Sequence, residues 1–165
     1  GIAELAIHGR TRSQMYRGEA DWSLIREVKN NPRIHIPIIG NGDVTTPEQA
    51  KKCFDEFGVD AIMVGRATFG CPWIFEDMQH YLTTGELLPP RSMQWCVDIL
   101  KEHVERSIQW IGDERKGIVH SRRHFAASLA FKCLRDFRQT RIALLRADTK
   151  AEVFQIMDEI VEKWG

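Results

Sequence analysis

The chain has 165 residues, of which 43% are hydrophobic and 28% are charged, and its formal net charge is zero. This length and composition suit a globular protein with a hydrophobic core, and they exclude a disordered or collagen-like chain. The apolar runs are short, so the sequence predicts no membrane span and no signal peptide. Four cysteines without a Cys-x-x-Cys pair indicate neither a metal site nor a disulfide framework, and they favour a reducing cytoplasmic location.

Strand and helix patterns alternate in the first half of the chain. An apolar run at residues 3–7 ends at His8, and apolar residues then recur at helical spacing behind Asp21, which is a suitable N-cap. A second apolar run at 37–39 leads into Gly40–Gly42, which is typical of a strand that stops at a turn. The chain therefore begins with a predicted strand, helix and strand.

A second predicted helix follows this turn directly. Thr46 is a suitable N-cap, Pro47 suits the first helical position, and Gln49 can complete a capping box. Gly58 marks its predicted end.

The third predicted unit begins with a buried strand at 60–64, which closes at Gly65–Ala67. Pro72 opens a further helix that ends at Gly85. Four apolar residues define its predicted inner face: Ile74, Phe75, Met78 and Leu82.

Three strand–helix units in succession predict a parallel sheet covered by helices, because parallel strands need crossover connections. Three units alone would leave strand edges unpaired and one face uncovered. The chain is therefore expected either to pair with another chain or to form part of a larger barrel.

The hydrophobic period becomes helical after Leu88–Pro90, and we expect a domain boundary there, between residues 1–88 and 91–165. Amphipathic helices are predicted from Met93 to Ile111 and from Val153 to Trp164. The apolar run at 125–131 predicts the central helix of a small bundle. Two tryptophans on the first of these helices could stack on nucleic-acid bases, but their positions on an amphipathic helix predict that they lie in the core: Trp95 and Trp110.

The neutral net charge conceals a basic stretch, because residues 115–150 contain 10 lysines and arginines but only 2 acidic residues. Phosphate contacts dominate the affinity of proteins for nucleic acids, so this stretch predicts an RNA-binding face. The alternative is a solvated helix face that lacks acidic residues. The candidate RNA-binding residues are Arg122, Arg123, Arg138 and Arg141.

Polar and glycine residues follow each predicted strand, where parallel α/β proteins place their chemistry. Backbone N–H groups in two successive glycine turns can bind one phosphate, and an arginine adds a charge-assisted hydrogen bond. His8, after the first strand, can hydrogen-bond an anionic or carbonyl group of a ligand. The alternative is that these are ordinary turns without a ligand and that His8 is a structural histidine. The phosphate-binding candidates are Asn41, Gly42, Asp43, Gly65 and Arg66.

Five motifs in this order resemble the carboxyl-terminal portion of a bacterial tRNA-dihydrouridine synthase: His8–Arg12, Asn41–Asp43, Val64–Ala67, Pro72–Phe75 and Thr84–Pro90. The resemblance is dense over residues 1–90 and looser through the helical tail. It implies the last three strand–helix units of an eight-stranded (β/α)8 TIM barrel, followed by an all-α helical domain that binds tRNA.

The resemblance also implies FMN as cofactor, NADPH as reductant and the C5=C6 bond of tRNA uridines as the site of reduction. On this basis His8 lies against the flavin, and the two glycine turns hold its phosphate. The family's catalytic cysteine lies in the earlier half of the barrel, and no cysteine here matches its motif. The chain alone is therefore expected to be inactive, and its expected partners are tRNA and either the missing half-barrel or a second copy.

Two other functions remain open on the sequence. One is a different FMN barrel oxidoreductase that acts on a small metabolite, such as a dihydroorotate-type dehydrogenase, which would not need the basic stretch. The other is a non-catalytic fragment whose remaining property is RNA binding.

Overall fold

Three short strands, β1 (Leu5–His8), β2 (Ile38–Asn41) and β3 (Ala61–Met63), form one sheet in the computed structural model, which describes residues 1–165. The strands are parallel and lie in the order β1-β2-β3. Ile38, at the start of β2, is fully buried. The sequence prediction of three parallel strands is confirmed.

The helices of this α/β unit are α1 (Ser23–Lys29), α2 (Pro47–Phe57) and α3 (Ile74–Thr84), with a 3-10 turn at Arg66–Thr68. α2 begins as predicted, because the Thr46 hydroxyl accepts a hydrogen bond from the backbone N–H of Gln49. The Gln49 side chain does not return to Thr46 but accepts hydrogen bonds from the backbone and hydroxyl of Thr45. The cap therefore extends one residue further than a simple capping box.

Two predicted details of these helices are wrong. α1 begins after Trp22 without a side-chain cap, although the Asp21 carboxylate still accepts the Ser23 backbone N–H at 2.9 Å. On α3, Ile74 and Met78 are buried, but the other two predicted inner residues, Phe75 and Leu82, are exposed. A helical period indicates which residues share a face, but it does not show how much of that face the rest of the chain covers.

Five helices make up the second unit: α4 (Met93–Ile111), α5 (Glu114–Ala127), α6 (Leu129–Lys132), α7 (Arg138–Arg146) and α8 (Lys150–Trp164). The chain divides into residues 1–68 with 72–88, and residues 69–71 with 89–165. The segment 69–71 thus groups with the helices, although it precedes α3 in the chain. The buried core of the helical unit includes Leu100, Ile118, Leu144, Met157 and Ile160.

The apolar run at 125–131 is not the single central helix that the sequence predicts. It breaks at Ser128, which is fully buried, while Leu129 immediately after it is exposed. The backbone of Gly70 lies against this break, since a Cβ on Gly70 would come within 2.6 Å of the Ser128 Cα. Close approach of a segment more than fifty residues away therefore accompanies the break, and no local pattern reveals it.

Trp110 was also expected in the core, but its side chain is 81% exposed near the end of α4. Trp95 is half-buried. None of the helices combines the length and the apolar character that a membrane crossing requires.

Candidate functional site

The carboxyl ends of the three strands meet at one edge of the sheet. His8 pairs in register with Asn41, and Asn41 pairs with Met63. The Asn41 side-chain amide donates to the Met63 carbonyl at 2.6 Å, and the Gly9 backbone N–H donates to the Asn41 carbonyl at 2.8 Å. The loops that follow the three strands therefore lie side by side.

The loop after β2 has a backbone that requires glycine at its first position. Gly42 has φ 145°, and a Cβ there would lie 2.5 Å from the Ala20 Cβ. Its carbonyl accepts the indole N–H of the buried Trp22 at 2.9 Å. Asp43 follows in the left-handed region with φ 55°, which is uncommon for a residue with a side chain. Tertiary contacts thus hold this turn in a specific conformation.

The Asp43 carboxylate joins all three loops. Arg10, after β1, donates to both of its oxygens at 2.8 and 2.5 Å, and Arg66, after β3, donates to one of them at 3.0 Å. The Ala20 backbone N–H donates to it as well, at 2.8 Å. These partners, the Arg10 hydrogen bond first among them, lower the pKa of Asp43 below its ordinary value. The carboxylate is therefore ionised at neutral pH and already occupied by donors.

Arg66 differs from Arg10 in its surroundings. Its side chain is 53% exposed, makes one ion pair, and lies over the ring of Tyr16 at 4.6 Å from the ring centre. No atom lies within 4 Å of the position that a Cβ on Gly65 would take. The surface beside Gly65 and Arg66 is therefore open to a ligand.

The backbone N–H groups of Gly42, Asp43, Gly65 and Arg66 donate no hydrogen bond to another group of the chain. Two arginines and one carboxylate also leave this edge of the sheet with an excess positive charge. Such an arrangement of free N–H groups and a guanidinium suits an anion.

His8 is exposed at the end of β1, and its Nδ1 accepts the Arg10 backbone N–H at 3.0 Å. In a neutral imidazole an accepting Nδ1 puts the proton on Nε2. His8 can then offer an Nε2–H donor to a ligand, at the same edge as the glycine turns.

The structure thus brings the predicted cofactor-binding residues to one edge of the sheet. The side chains of Asn41 and Asp43, however, make contacts within the protein. The amide N–H of Asn41 and the carboxylate of Asp43 hold the loops together, so Asp43 can meet an anion through its backbone only. Sequence reasoning missed Arg10. The available signal was an arginine after one strand and an aspartate after the next, since neighbouring parallel strands place such residues side by side.

Two of the four candidate RNA-binding arginines make hydrogen bonds within the helical unit. Arg122 donates to the Ala147 carbonyl at 3.1 Å and to Asp148 at 2.9 Å. Arg141 donates to the Ala126 carbonyl at 3.1 Å. Both side chains thus satisfy carbonyls at the ends of helices, a packing role that the sequence did not indicate.

The other two candidates, Arg123 on α5 and Arg138 at the start of α7, are exposed. Arg123 also lies near the Phe69 ring, at 5.9 Å from its centre. Arg135 lies three residues before Arg138 but precedes α7, so it does not lie on the same helix face. The basic face therefore depends on fewer residues than the charge count suggests.

The four cysteines differ in burial. Cys53, Cys71 and Cys96 are buried, and only Cys133 is exposed. Burial raises the pKa of the Cys53 thiol to about 11, and burial also raises the pKa of Cys96. Protonated, buried thiols of this kind are poor nucleophiles.

Comparison with known proteins finds one matching family model and several named relatives. The family model described as dihydrouridine synthase (Dus) matches residues 1–161. A tRNA-dihydrouridine synthase B from Shewanella oneidensis is 40% identical over 166 residues, covering 98% of this chain and 50% of that protein.

Two further relatives carry the same name. The protein from Escherichia coli strain K12 is 42% identical over 156 residues, which cover 94% of this chain and 48% of that protein. The protein from Proteus vulgaris is 48% identical over 124 residues, which cover 75% of this chain and 38% of that protein. The chain spans about half the length of the curated relatives it matches, or less.

Proposed function

Since the chain belongs to the dihydrouridine synthase family, we propose that it forms the carboxyl-terminal part of an FMN-dependent tRNA-dihydrouridine synthase. On this proposal β1 to β3 are the last three strands of a TIM barrel, and the helical unit binds tRNA. The observation that carries the proposal is the meeting of three strand-end loops around free backbone N–H groups and Arg66. TIM barrels place phosphate sites in the loops after their last strands.

The residues at this edge fit the phosphate of FMN. The backbone N–H groups of Gly42, Asp43, Gly65 and Arg66 would hold it, and the Arg66 guanidinium would add a charge-assisted hydrogen bond. His8 would donate its Nε2–H to the flavin. When bound, FMN supplies the hydride that reduces uridine C5=C6, with NADPH as the source of electrons.

The proton that completes the reduction needs a donor, and we propose that it comes from a residue outside these 165. The thiols of Cys53 and Cys96 are buried with raised pKa values, which supports this assignment. The chain by itself would then bind ligands without catalysing the reaction. Cytoplasmic residence is part of the same proposal, because tRNA and NADPH are available there.

A ligand titration of the 165-residue chain tests the FMN site. We expect FMN to shift the backbone NMR signals of Gly42, Asp43, Gly65 and Arg66, and riboflavin, which lacks the phosphate, to leave them unmoved. Arg66→Ala should weaken FMN binding about 10-fold, because one charge-assisted hydrogen bond is lost.

The matched control is Arg33→Ala, which removes an exposed arginine that precedes β2 and so lies toward the opposite edge of the sheet. It should leave the FMN affinity unchanged. Equal shifts with FMN and riboflavin, or shifts confined to other loops, would contradict the phosphate site.

Binding of tRNA by the helical unit is tested with Arg123→Gln and Arg138→Gln together, since both side chains are exposed. We expect affinity for unfractionated tRNA to fall about 10-fold, and the salt dependence of binding to become shallower by about two phosphate contacts. Binding at several salt concentrations, measured by gel shift, gives both quantities.

The control for charge alone combines Arg106→Gln on α4 with Lys163→Gln on α8, both exposed and outside the basic stretch. This control variant should weaken tRNA binding little. If it weakens tRNA binding as much as the Arg123→Gln and Arg138→Gln double variant does, the attraction is a general charge effect. If the wild-type protein binds no tRNA, a flavin enzyme that acts on a small metabolite becomes the better account.

A further inference from the structure

Arg10 is the most enclosed charged side chain of the loops that follow β1, β2 and β3, with only 4% of its side chain exposed. Besides its two hydrogen bonds to Asp43, its guanidinium donates to the Gly18 carbonyl at 2.6 Å and its Nε donates to the Arg17 carbonyl at 3.4 Å. Four acceptor atoms therefore surround this one arginine. A lysine could not reproduce the planar, two-pronged contact with Asp43.

The partner of Arg10 lies in a turn with an uncommon backbone conformation. Asp43 has φ 55°, directly after Gly42 with φ 145°. A backbone of this kind persists only where the surrounding contacts enforce it. The Asp43 carboxylate, held by Arg10 and by the Ala20 backbone N–H, supplies such a constraint.

Arg10 and Arg66 share Asp43 unequally. The buried side chain of Arg10 donates hydrogen bonds to both carboxylate oxygens, whereas the half-exposed side chain of Arg66 donates to one oxygen only. If Arg66 turned to an external anion, Asp43 would keep its bidentate partner and its backbone donor. The carboxylate would then remain satisfied, and the loop would keep its shape.

We infer that Arg10 is a positioning residue of the phosphate site: through Asp43 it fixes the loop after β2, and it thereby leaves Arg66 free to contact the anion. This inference rests on the proposed FMN site. It assigns the two arginines different tasks, one acting on the protein and one acting on the ligand, although both contact the same carboxylate.

The experiment compares Arg10→Gln, Asp43→Asn and the double variant in the 165-residue chain. First, the backbone NMR signals of Gly42 and Asp43 are recorded without ligand, and each variant is expected to move them. Second, the affinities for FMN and riboflavin are measured, and each single variant is expected to reduce the preference for FMN about 10-fold. A role limited to stability would not move this ratio. The control Arg26→Gln, at an exposed position on α1, should change neither quantity.

The double variant separates positioning from direct contact. If Arg10 acts through Asp43, the double variant is no worse than either single variant, whereas direct binding of phosphate by Arg10 predicts a further loss in Arg10→Gln that is independent of Asp43. If the NMR signals of Gly42 and Asp43 do not move in Arg10→Gln, the inference is overturned, whatever the affinity of this variant for FMN. Moved signals in a protein whose wild type never preferred FMN would instead overturn the proposed FMN site, and Arg10 would then be a structural residue only.

Discussion

Replacing Gly117 by alanine is expected to lower the free energy of unfolding of the helical unit by about 3 kcal/mol. Gly117 is buried on α5 where this helix crosses α4, the most extensive helix pair of the chain. An added Cβ would lie 2.6 Å from the Ile108 Cα and 2.8 Å from its backbone nitrogen. Because these are backbone atoms, the clash can be relieved only by moving the two helices apart.

The expected destabilisation is opposite in sign to the usual effect of this substitution. In the interior of an exposed helix, replacing glycine by alanine stabilises the helix by up to about 1 kcal/mol. Here the loss of close packing is expected to exceed that gain. Urea unfolding followed by far-UV circular dichroism gives the change, and hydrogen exchange of the α4 and α5 amides assigns it to the helical unit.

The matched control is Val119→Ala, two residues further along α5, where the side chain is exposed. It should change the free energy of unfolding by no more than about 0.5 kcal/mol. If Gly117→Ala proves as stable as the wild type, the close crossing of α4 and α5 at Ile108 is wrong.

Acidification is expected to destabilise the helical unit through a cluster of three histidines. The rings of His103 on α4 and His124 on α5 have centres 4.0 Å apart. His103 Nε2 is buried without a hydrogen-bond partner, as is His120 Nδ1. His124 Nδ1 accepts the Gly70 backbone N–H at 3.3 Å, and the Phe69 ring packs edge-on against His124. This environment has little capacity to accept positive charge.

Burial, followed by the neighbouring His103, His120 and Arg123, lowers the pKa of His124 to about 4 from its ordinary 6.5. Burial and His120 lower the pKa of His103 as well. The unfolded chain therefore binds a proton at His124 near pH 6.5, whereas the folded chain does so only near pH 4. Stability that is fully present above pH 6.5 is lost as the pH falls from about 6.5 to about 4.

The loss attributable to His124 is on the order of 2 kcal/mol, since each unit of pKa corresponds to about 1.4 kcal/mol and the partly exposed ring is screened by solvent. His124→Asn keeps an acceptor near the Nδ1 position and removes the titrating group. Unfolding free energies of wild type and variant across this pH range give the slope. Carboxylates with lowered pKa values, such as Asp43, contribute equally to both proteins, so the difference between the two slopes isolates His124.

The control His35→Asn removes an exposed histidine from the α/β unit and should leave the slope as it is in the wild type. An identical slope in the wild type and in His124→Asn would show that the cluster does not couple proton binding to folding.

Local patterns predicted the three strands, α1 to α4 and α8, because each of these elements depends on residues a few positions apart, whereas α5 and α7 were not predicted. The cap and the glycine end of α2 arise between Thr46 and Gly58, and α8 likewise begins with a capping box between Thr149 and Glu152, which are three positions apart. The parallel sheet followed from apolar strands alternating with helices. Strand ends in a parallel sheet share one edge, so the meeting of the glycine turns also followed from the sequence.

The side-chain contacts that join the loops of the candidate site could not be predicted from local patterns, because the partners lie far apart in the chain. Arg10 and Asp43 are 33 residues apart, and their contact requires the register of β1 with β2. Likewise, the number of arginines can be read from the sequence, but the hydrogen bonds of Arg122 and Arg141 to carbonyls at helix ends cannot.

Residue patterns alone were enough for the three strand–helix units, for α4 and α8, and for the family to which the chain belongs. Which charges face each other, that the apolar run breaks at Ser128 and that Trp110 lies on the surface became visible only in the folded chain. The difference is one of range: periodicity and caps act within one or two helical turns, whereas ion pairs, burial and close backbone approach depend on segments that folding brings together.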